Sequence, residues 1–178
     1  NPEQLRELES LGFRAANLPQ WRLEAKSIQH TGFVKGDAAT LRKGWIALLP
    51  SKDPTEREEA ALATIARQMA LSAEPVAIAL SYATRATEQV AELFLKHGIA
   101  VVLILPFGPL ARKTIARIST EGRSAPFTMV SITTPDGPWS RIEFANAMNL
   151  LRAGASSALI SDPTLDWLHE RAVRTWAE

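Results

Sequence analysis

Short apolar runs alternate with amphipathic segments from residue 44 to the end of the chain. Each amphipathic segment carries apolar residues at helical spacing, so the alternation predicts βαβ units. The apolar runs have few polar positions, which is typical of strands covered on both faces of a parallel sheet. We therefore expect an α/β fold, a doubly wound, mostly parallel, Rossmann-like sheet of five or more strands. The predicted strands are Trp45–Leu49, Val76–Leu80, Ile99–Leu105, Phe127–Ile132 and Ser157–Ile160.

Capping signals predict where the helices begin and end. Asp53 is expected to be the N-cap of the first helix, with Pro54 at its first helical position. Gly98 is expected to end the second helix. The last three helices are predicted from about Pro109 to Glu121, from Trp139 to about Ala153, and after the Asp162-Pro163 cap through Trp176.

The first 43 residues follow a different pattern. Pro2 to Leu11 is expected to be helical, and Leu18 to Ala39 to be irregular. Such a segment is too short for a core of its own. We interpret residues 1–43 as an N-terminal lead-in packed on the domain, and residues 44–178 as the Rossmann-like domain.

Composition excludes several classes of protein. Of 178 residues, 46% are apolar and 22% charged, as in soluble globular domains. The longest apolar run, Ile99–Phe107, is about half of the roughly 20 residues that a membrane span needs. No secretory leader is visible, so a cytoplasmic location is expected, and the missing initial Met suggests that the natural N-terminus lies upstream.

Residue types also limit the chemistry. The absence of cysteine excludes disulfides and cysteine-based zinc sites. The three histidines are far apart, no Gly-x-Ser-x-Gly motif occurs, and acidic pairs such as Glu58-Glu59 are expected to form solvated faces. We therefore predict no catalytic residue, no metal and no cofactor.

The loops that follow the predicted strands are the candidate binding sites, because ligands of open parallel sheets bind beyond the carboxyl ends of the strands. Ser51 and Lys52 follow the first strand, whose loop has Pro50 and no glycine. Ser81, Thr84 and Arg85 follow the second strand, where hydroxyls, a guanidinium and a helix N-terminus could hold an anion. The alternative is that Thr84 is simply an N-cap and Arg85 a solvated first-turn residue.

The chain has 20 basic residues against 19 acidic ones, so it lacks the basic excess that is typical of nucleic-acid-binding proteins. Any nucleic-acid contact must therefore depend on a local basic patch. One sheet edge could still be positive. Its basic residues would be Lys52, Arg85, Arg112 and Lys113, extended by Arg141 and Arg152. Trp139, in a turn before a helix, is the aromatic residue that we expect to be exposed and able to stack on a base.

Four stretches together resemble the Rossmann-like domain of the DNA-processing protein A (DprA/Smf) family. The stretch 32–37 is similar to a short strand that ends in Lys/Arg-Gly-Asn/Asp. The stretch 46–55 is similar to the family's first strand and Gly-Ser-Arg turn. Ser81 to Glu88 falls in register with Ser-Gly-Gly-Ala-Arg-Gly-Ile-Asp, and Asn149 lies near an Arg-Asn-Arg helix.

The resemblance implies a phosphate-binding pocket used with single-stranded DNA, and the loading of a recombinase during DNA uptake. Its implied contacts here are Ser51, Lys52, Ser81, Thr84, Arg85 and Asn149. Arginine positions of the family hold Ala147 or Met148 and Leu150, and its glycine positions hold Pro50, Tyr82, Ala83 and Ala86. Tyr82 would fill the space that a phosphate needs.

Three functions are compatible with these observations. The first is a non-catalytic, DprA-like DNA-binding protein of DNA uptake or recombination. The second is a sensor of a nucleotide-type ligand in the same cleft. The third is a nucleotide phosphoribohydrolase, which ranks last because its Pro-Gly-Gly-x-Gly-Thr-x-x-Glu loop is absent. Single-stranded DNA, a recombinase and a second copy of the chain are the partners considered, and a membrane is not.

Overall fold

A computed structural model describes residues 1–18, 21–23, 26–28 and 31–162 of the chain. Its helices are α1 (Pro2–Ser10), α2 (Ala39–Lys43), α3 (Glu56–Ala70), α4 (Arg85–Lys96), α5 (Lys113–Ala116) and α6 (Arg141–Ala153). Its strands are β1 (Arg14–Asn17), β2 (Trp21–Leu23), β3 (Lys26–Ile28), β4 (Thr31–Gly36), β5 (Trp45–Leu49), β6 (Ala77–Ser81), β7 (Val101–Leu105), β8 (Phe127–Ser131) and β9 (Ala155–Ile160).

The main sheet has seven strands in the order β1-β4-β8-β7-β6-β5-β9. Strands β5 to β9 pair with one another in parallel, whereas β4 pairs antiparallel with β8 and β1 pairs antiparallel with β4. The predicted α/β class and mostly parallel sheet are thus confirmed. All five predicted strands are present, and no end is shifted by more than two residues.

Helices cover the sheet on both faces, because alternate side chains of the central strands enter two separate apolar layers. One layer joins Leu48, Leu80 and Leu103 of the strands to Leu62 of α3 and Phe94 of α4. The other layer joins strand residues such as Ala47, Ala79 and Ile104 to residues of α6 that include Leu150 and Leu151. The near-continuous apolar runs in the sequence follow from this double burial.

The N-terminal segment differs from the expectation of an irregular stretch. Strand β4 pairs Val34 with Val130 and Gly36 with Thr128, so it extends the main sheet. Strands β2 and β3 form a separate two-stranded sheet. The expectation was wrong for these strands because they have three to six residues and pair with distant or equally short segments, which leaves little periodicity to detect.

Two predicted helix boundaries are also wrong. Thr55, not Asp53, is the N-cap of α3, and its hydroxyl accepts a hydrogen bond from Glu58 N–H at 3.2 Å. The helix predicted from Pro109 to Glu121 shrinks to α5, and the residues before it form a loop in which Leu110 N–H donates to the carbonyl of Pro135 at 2.8 Å. The last predicted helix, through Trp176, lies outside the described residues. Among the residues that are described, none of the helices has both the length and the apolar character that a membrane crossing requires.

Candidate functional site

The loops after the parallel strands lie side by side along one edge of the sheet, called here the carboxyl edge. It comprises residues 50–55 after β5, 82–84 after β6, 106–112 after β7, 132–140 after β8, and 161–162 after β9. Strand order reverses between β5 and β9, since β6 continues from β5 on one side and β9 adds on the other. This reversal is the topological switch point, where ligands of such sheets usually bind.

Hydrogen bonds join neighbouring loops of the carboxyl edge. Thr84 Oγ1 donates to the carbonyl of Lys52 at 2.7 Å, which connects the loops after β5 and β6. Gly108 N–H donates to the carbonyl of Gly137 at 2.8 Å, which connects the loops after β7 and β8. A side chain at Gly108 would place its Cβ 2.1 Å from the carbonyl oxygen of Thr134. The loops of the carboxyl edge are therefore held together in two pairs.

A buried carboxylate occupies the switch point. Glu58 on α3 is only 7% exposed. Its carboxylate accepts hydrogen bonds from Ser51 N–H at 2.8 Å, from Ser51 Oγ at 2.5 Å and from Ser161 Oγ at 2.8 Å. The expectation that Glu58 belongs to a solvated face was wrong, because Thr55-x-x-Glu58 is a capping-box pattern that turns the side chain back toward the loop. That pattern is the sequence signal that could have identified it.

In the loop after β6, a side chain of α4 accepts hydrogen bonds from backbone N–H groups. Thr87 Oγ1 accepts from Ala83 N–H at 3.1 Å and from Thr84 N–H at 3.2 Å. Thr84 is the N-cap of α4 and Arg85 is an exposed first-turn residue, as the structural alternative predicts. Ser81 Oγ, at the end of β6, is buried with no hydrogen-bond partner among the described residues.

Tyr82 is a buried side chain of the carboxyl edge. It is only 5% exposed, its ring contacts Phe107 edge-to-face, and its hydroxyl donates to a Glu88 carboxylate oxygen at 3.0 Å. The Arg112 guanidinium lies 5.0 Å from the centre of the Phe107 ring. Burial, and then the hydrogen bond and charge of Glu88, raise the pKa of Tyr82 to about 12, while the charges of Arg112 and Arg85 oppose this rise.

The raised pKa of Tyr82 predicts a loss of stability at high pH. Between about pH 10 and 12 the unfolded chain releases the phenolic proton while the folded chain keeps it, so stability present below pH 10 is lost across this window. A shift of this size corresponds to about 2–3 kcal/mol. Tyr82 is the single tyrosine, so the ultraviolet absorbance of its phenolate reports its titration directly. A midpoint near 10 in the folded protein, or the same pH dependence of stability in Tyr82→Phe, would contradict this assignment.

The other predicted contacts are distributed unevenly. Lys52 is exposed on the loop after β5, and Trp139, as predicted, is exposed, by 48%. Lys113 instead forms an ion pair with Glu7 of α1. Asn149 is exposed on α6, which begins at the carboxyl edge and runs away from it. At 1.5 Å per residue it lies about 12 Å along the helix from Arg141. Helix α6 also packs in the other apolar layer from α4, which carries Arg85, so Asn149 is not brought together with Arg85.

The opposite edge of the sheet, at the amino ends of the strands, contains a cavity of about 450 Å³. Its lining is largely apolar and includes Trp45, Met69 and Ile99, together with Asp37 and Ser156. None of the predicted contact residues lines it. Within the described part of the chain, no group of three or more His, Asp or Glu side chains is placed to hold a metal ion.

Two solved structures share this architecture. DNA processing protein A from Helicobacter pylori, a protein with a described single-stranded DNA binding mode, superposes with a TM-score of 0.62 at 13% identity, covering 83% of this chain and 68% of that one. The chain has a DprA-like, Rossmann-like fold. DNA processing protein A from Streptococcus pneumoniae gives a TM-score of 0.62 at 14% identity, over 82% of this chain and 52% of that one. Neither a family model nor a curated protein matches the sequence.

Proposed function

We propose that this chain is a non-catalytic, DprA-like protein that binds single-stranded DNA along the carboxyl edge through Lys52, Arg85 and Arg112. One observation carries the proposal. In the two loops that would cradle a phosphate, the N–H groups of Ser51, Ala83 and Thr84 are bonded internally to Glu58 and Thr87. The three cations, in contrast, stay exposed at the surface. No ion pair joins any of the three to a carboxylate among the described residues.

The arrangement of the cations suits an extended polyanion. Lys52, Arg85 and Arg112 follow β5, β6 and β7, which are adjacent in the sheet. Because neighbouring strands lie about 4.8 Å apart, the three strand ends span about 10 Å. A row of this length can meet successive phosphates of one strand. A small nucleotide-type ligand would instead need an enclosed pocket with converging donors, and the closed loops count against that alternative.

An aromatic residue lies farther along the same edge. Trp139 is two residues beyond Gly137, whose carbonyl is bonded to the loop that leads to Arg112. Its indole packs against Phe144 with ring centres 6.4 Å apart, yet stays half exposed. An exposed indole can stack on an unpaired base, which a duplex does not offer. We therefore propose a preference for single-stranded over double-stranded DNA.

The salt dependence of binding tests this proposal. Neutralising a phosphate of single-stranded nucleic acid gives a slope of roughly −0.7 in a plot of log K against log salt, so three contacts predict a slope of about −2. Fluorescence anisotropy of a labelled oligonucleotide at several salt concentrations measures it, with the matching duplex as the comparison. No binding at low salt, or equal affinity for the duplex, would contradict the proposal.

The biological setting follows from the resemblance and belongs to the same proposal. It includes a cytoplasmic role in DNA uptake or recombination, a recombinase as partner, and a homodimer. The similarity in fold to a protein that binds single-stranded DNA supports it. Ser51 and Asn149 are omitted from the proposed contacts, since Ser51 is bonded to Glu58 and Asn149 lies away from the cations.

A further inference from the structure

We propose that Glu58 takes the place of a ligand phosphate at the switch point, and so excludes phosphorylated ligands from the position where sheets of this kind usually bind them. The inference is independent of the proposed DNA contacts, which lie on exposed side chains. It concerns the specificity of the crevice between the ends of β5 and β9.

The donors around Glu58 are arranged as in an anion-binding site, and the Glu58 carboxylate occupies it. Three donors from two loops, Ser51 N–H, Ser51 Oγ and Ser161 Oγ, converge on one carboxylate within 2.8 Å. Loops after β5 and β9 supply them, and these strands flank the point where strand order reverses. Backbone N–H and hydroxyl groups at this point are the kind of donors that hold a phosphate in other parallel sheets.

The energetics explain why the carboxylate stays there. A carboxylate that is almost fully buried is costly unless donors replace its lost water. Within the described residues no basic side chain forms an ion pair with Glu58, so the hydrogen bonds are what compensate it. A phosphate entering the crevice would have to displace a covalently attached anion from all three donors and would meet its negative charge.

The prediction is a gain of binding when Glu58 is removed. In the full chain, Glu58→Ala should bind inorganic phosphate at least about tenfold more tightly than the wild-type protein, because two or more charge-assisted hydrogen bonds become available. Isothermal titration calorimetry measures the affinity, and the rise in melting temperature with phosphate gives a second readout. Glu59→Ala is the matched control, since it removes the same charge from the exposed neighbour and should behave like the wild type.

A second substitution locates the gained site. Adding Ser161→Ala to Glu58→Ala should remove most of the gained affinity. The proposal is overturned if Glu58→Ala binds phosphate no more tightly than Glu59→Ala, or if the gain survives the loss of Ser161. It is also overturned if Glu58→Ala stays unfolded at every phosphate concentration, because an anion that replaces the carboxylate would restore the partners of the three donors.

Discussion

Replacing Arg85 or Arg112 by alanine is expected to weaken binding of single-stranded DNA by more than tenfold in each case. Hydrogen bonds to charged groups contribute about 1.5–3 kcal/mol each, and 1.4 kcal/mol is a factor of ten. Arg85 follows β6 and Arg112 follows β7, and these two strands are neighbours in the sheet, so both side chains belong to adjacent loops of the carboxyl edge. Because the two share this neighbourhood, their effects need not add in the double variant.

Folding should hardly change in these variants. Arg85 is an exposed first-turn residue, and such substitutions usually cost within about 0.5 kcal/mol. Arg112 also loses its contact with the Phe107 ring, which at an exposed site contributes about 0.5–1 kcal/mol. Arg67→Ala is the matched control, because Arg67 is equally exposed but lies in the last turn of α3, far from the carboxyl edge. Its affinity for DNA should equal that of the wild type.

The contrary result would be informative. If Arg85→Ala unfolds the protein while the remaining folded fraction still binds DNA, Arg85 is a structural residue. The likeness in fold would then reflect ancestry and not a shared binding role. Anisotropy measured together with circular dichroism separates the two cases.

The central sheet could be predicted from the sequence because its strands are buried on both faces. Runs such as Val101–Leu105 are apolar at every position, and the helical pattern that follows β5 and β6 leaves few other folds open. Strand β1 was missed, and β4 was indicated only by the resemblance of the stretch 32–37 to a short strand, because the pairing of both strands is nonlocal. Val34 pairs with Val130, which lies 96 positions farther along the chain. The shortened α5 also reflects a nonlocal contact, since Gly108 N–H and Leu110 N–H are bonded to carbonyls of the loop after β8.

The candidate site combines contacts between residues that are close in the sequence with contacts between residues that are far apart in it. That Thr84 is a cap and Arg85 a first-turn residue is encoded within a few positions, and the structure has both as predicted. The contact between Ser161 and Glu58 is not encoded in that way. Ser161 lies 103 positions from Glu58, so no spacing in the sequence reveals their contact. The Thr55-x-x-Glu58 pattern indicated only that the carboxylate turns back, not what it would meet.

Replacing Gly108 by alanine is expected to cost about 3 kcal/mol or more of folding free energy. A Cβ there would lie 2.1 Å from the carbonyl oxygen of Thr134 and 2.3 Å from that of Pro135. These are backbone atoms, which cannot move aside as a flexible side chain can, so the loops after β7 and β8 must separate. The separation would break the bonds from Gly108 N–H to Gly137 and from Leu110 N–H to Pro135. Overpacking alone costs about 1–3 kcal/mol and occasionally more.

Thermal unfolding measures the effect, and for a chain of this size about 3 kcal/mol lowers the melting temperature by roughly 6–12 °C. Gly122→Ala is the control for backbone conformation. Gly122 has a φ of +71° and nothing within 4 Å of an added Cβ, so only the strain of about 1–2 kcal/mol should appear. If Gly108→Ala is no less stable than Gly122→Ala, the two loops are not joined as described. A destabilised but folded Gly108→Ala should also bind DNA less tightly, because the loop that carries Arg112 would have moved away from Lys52 and Arg85.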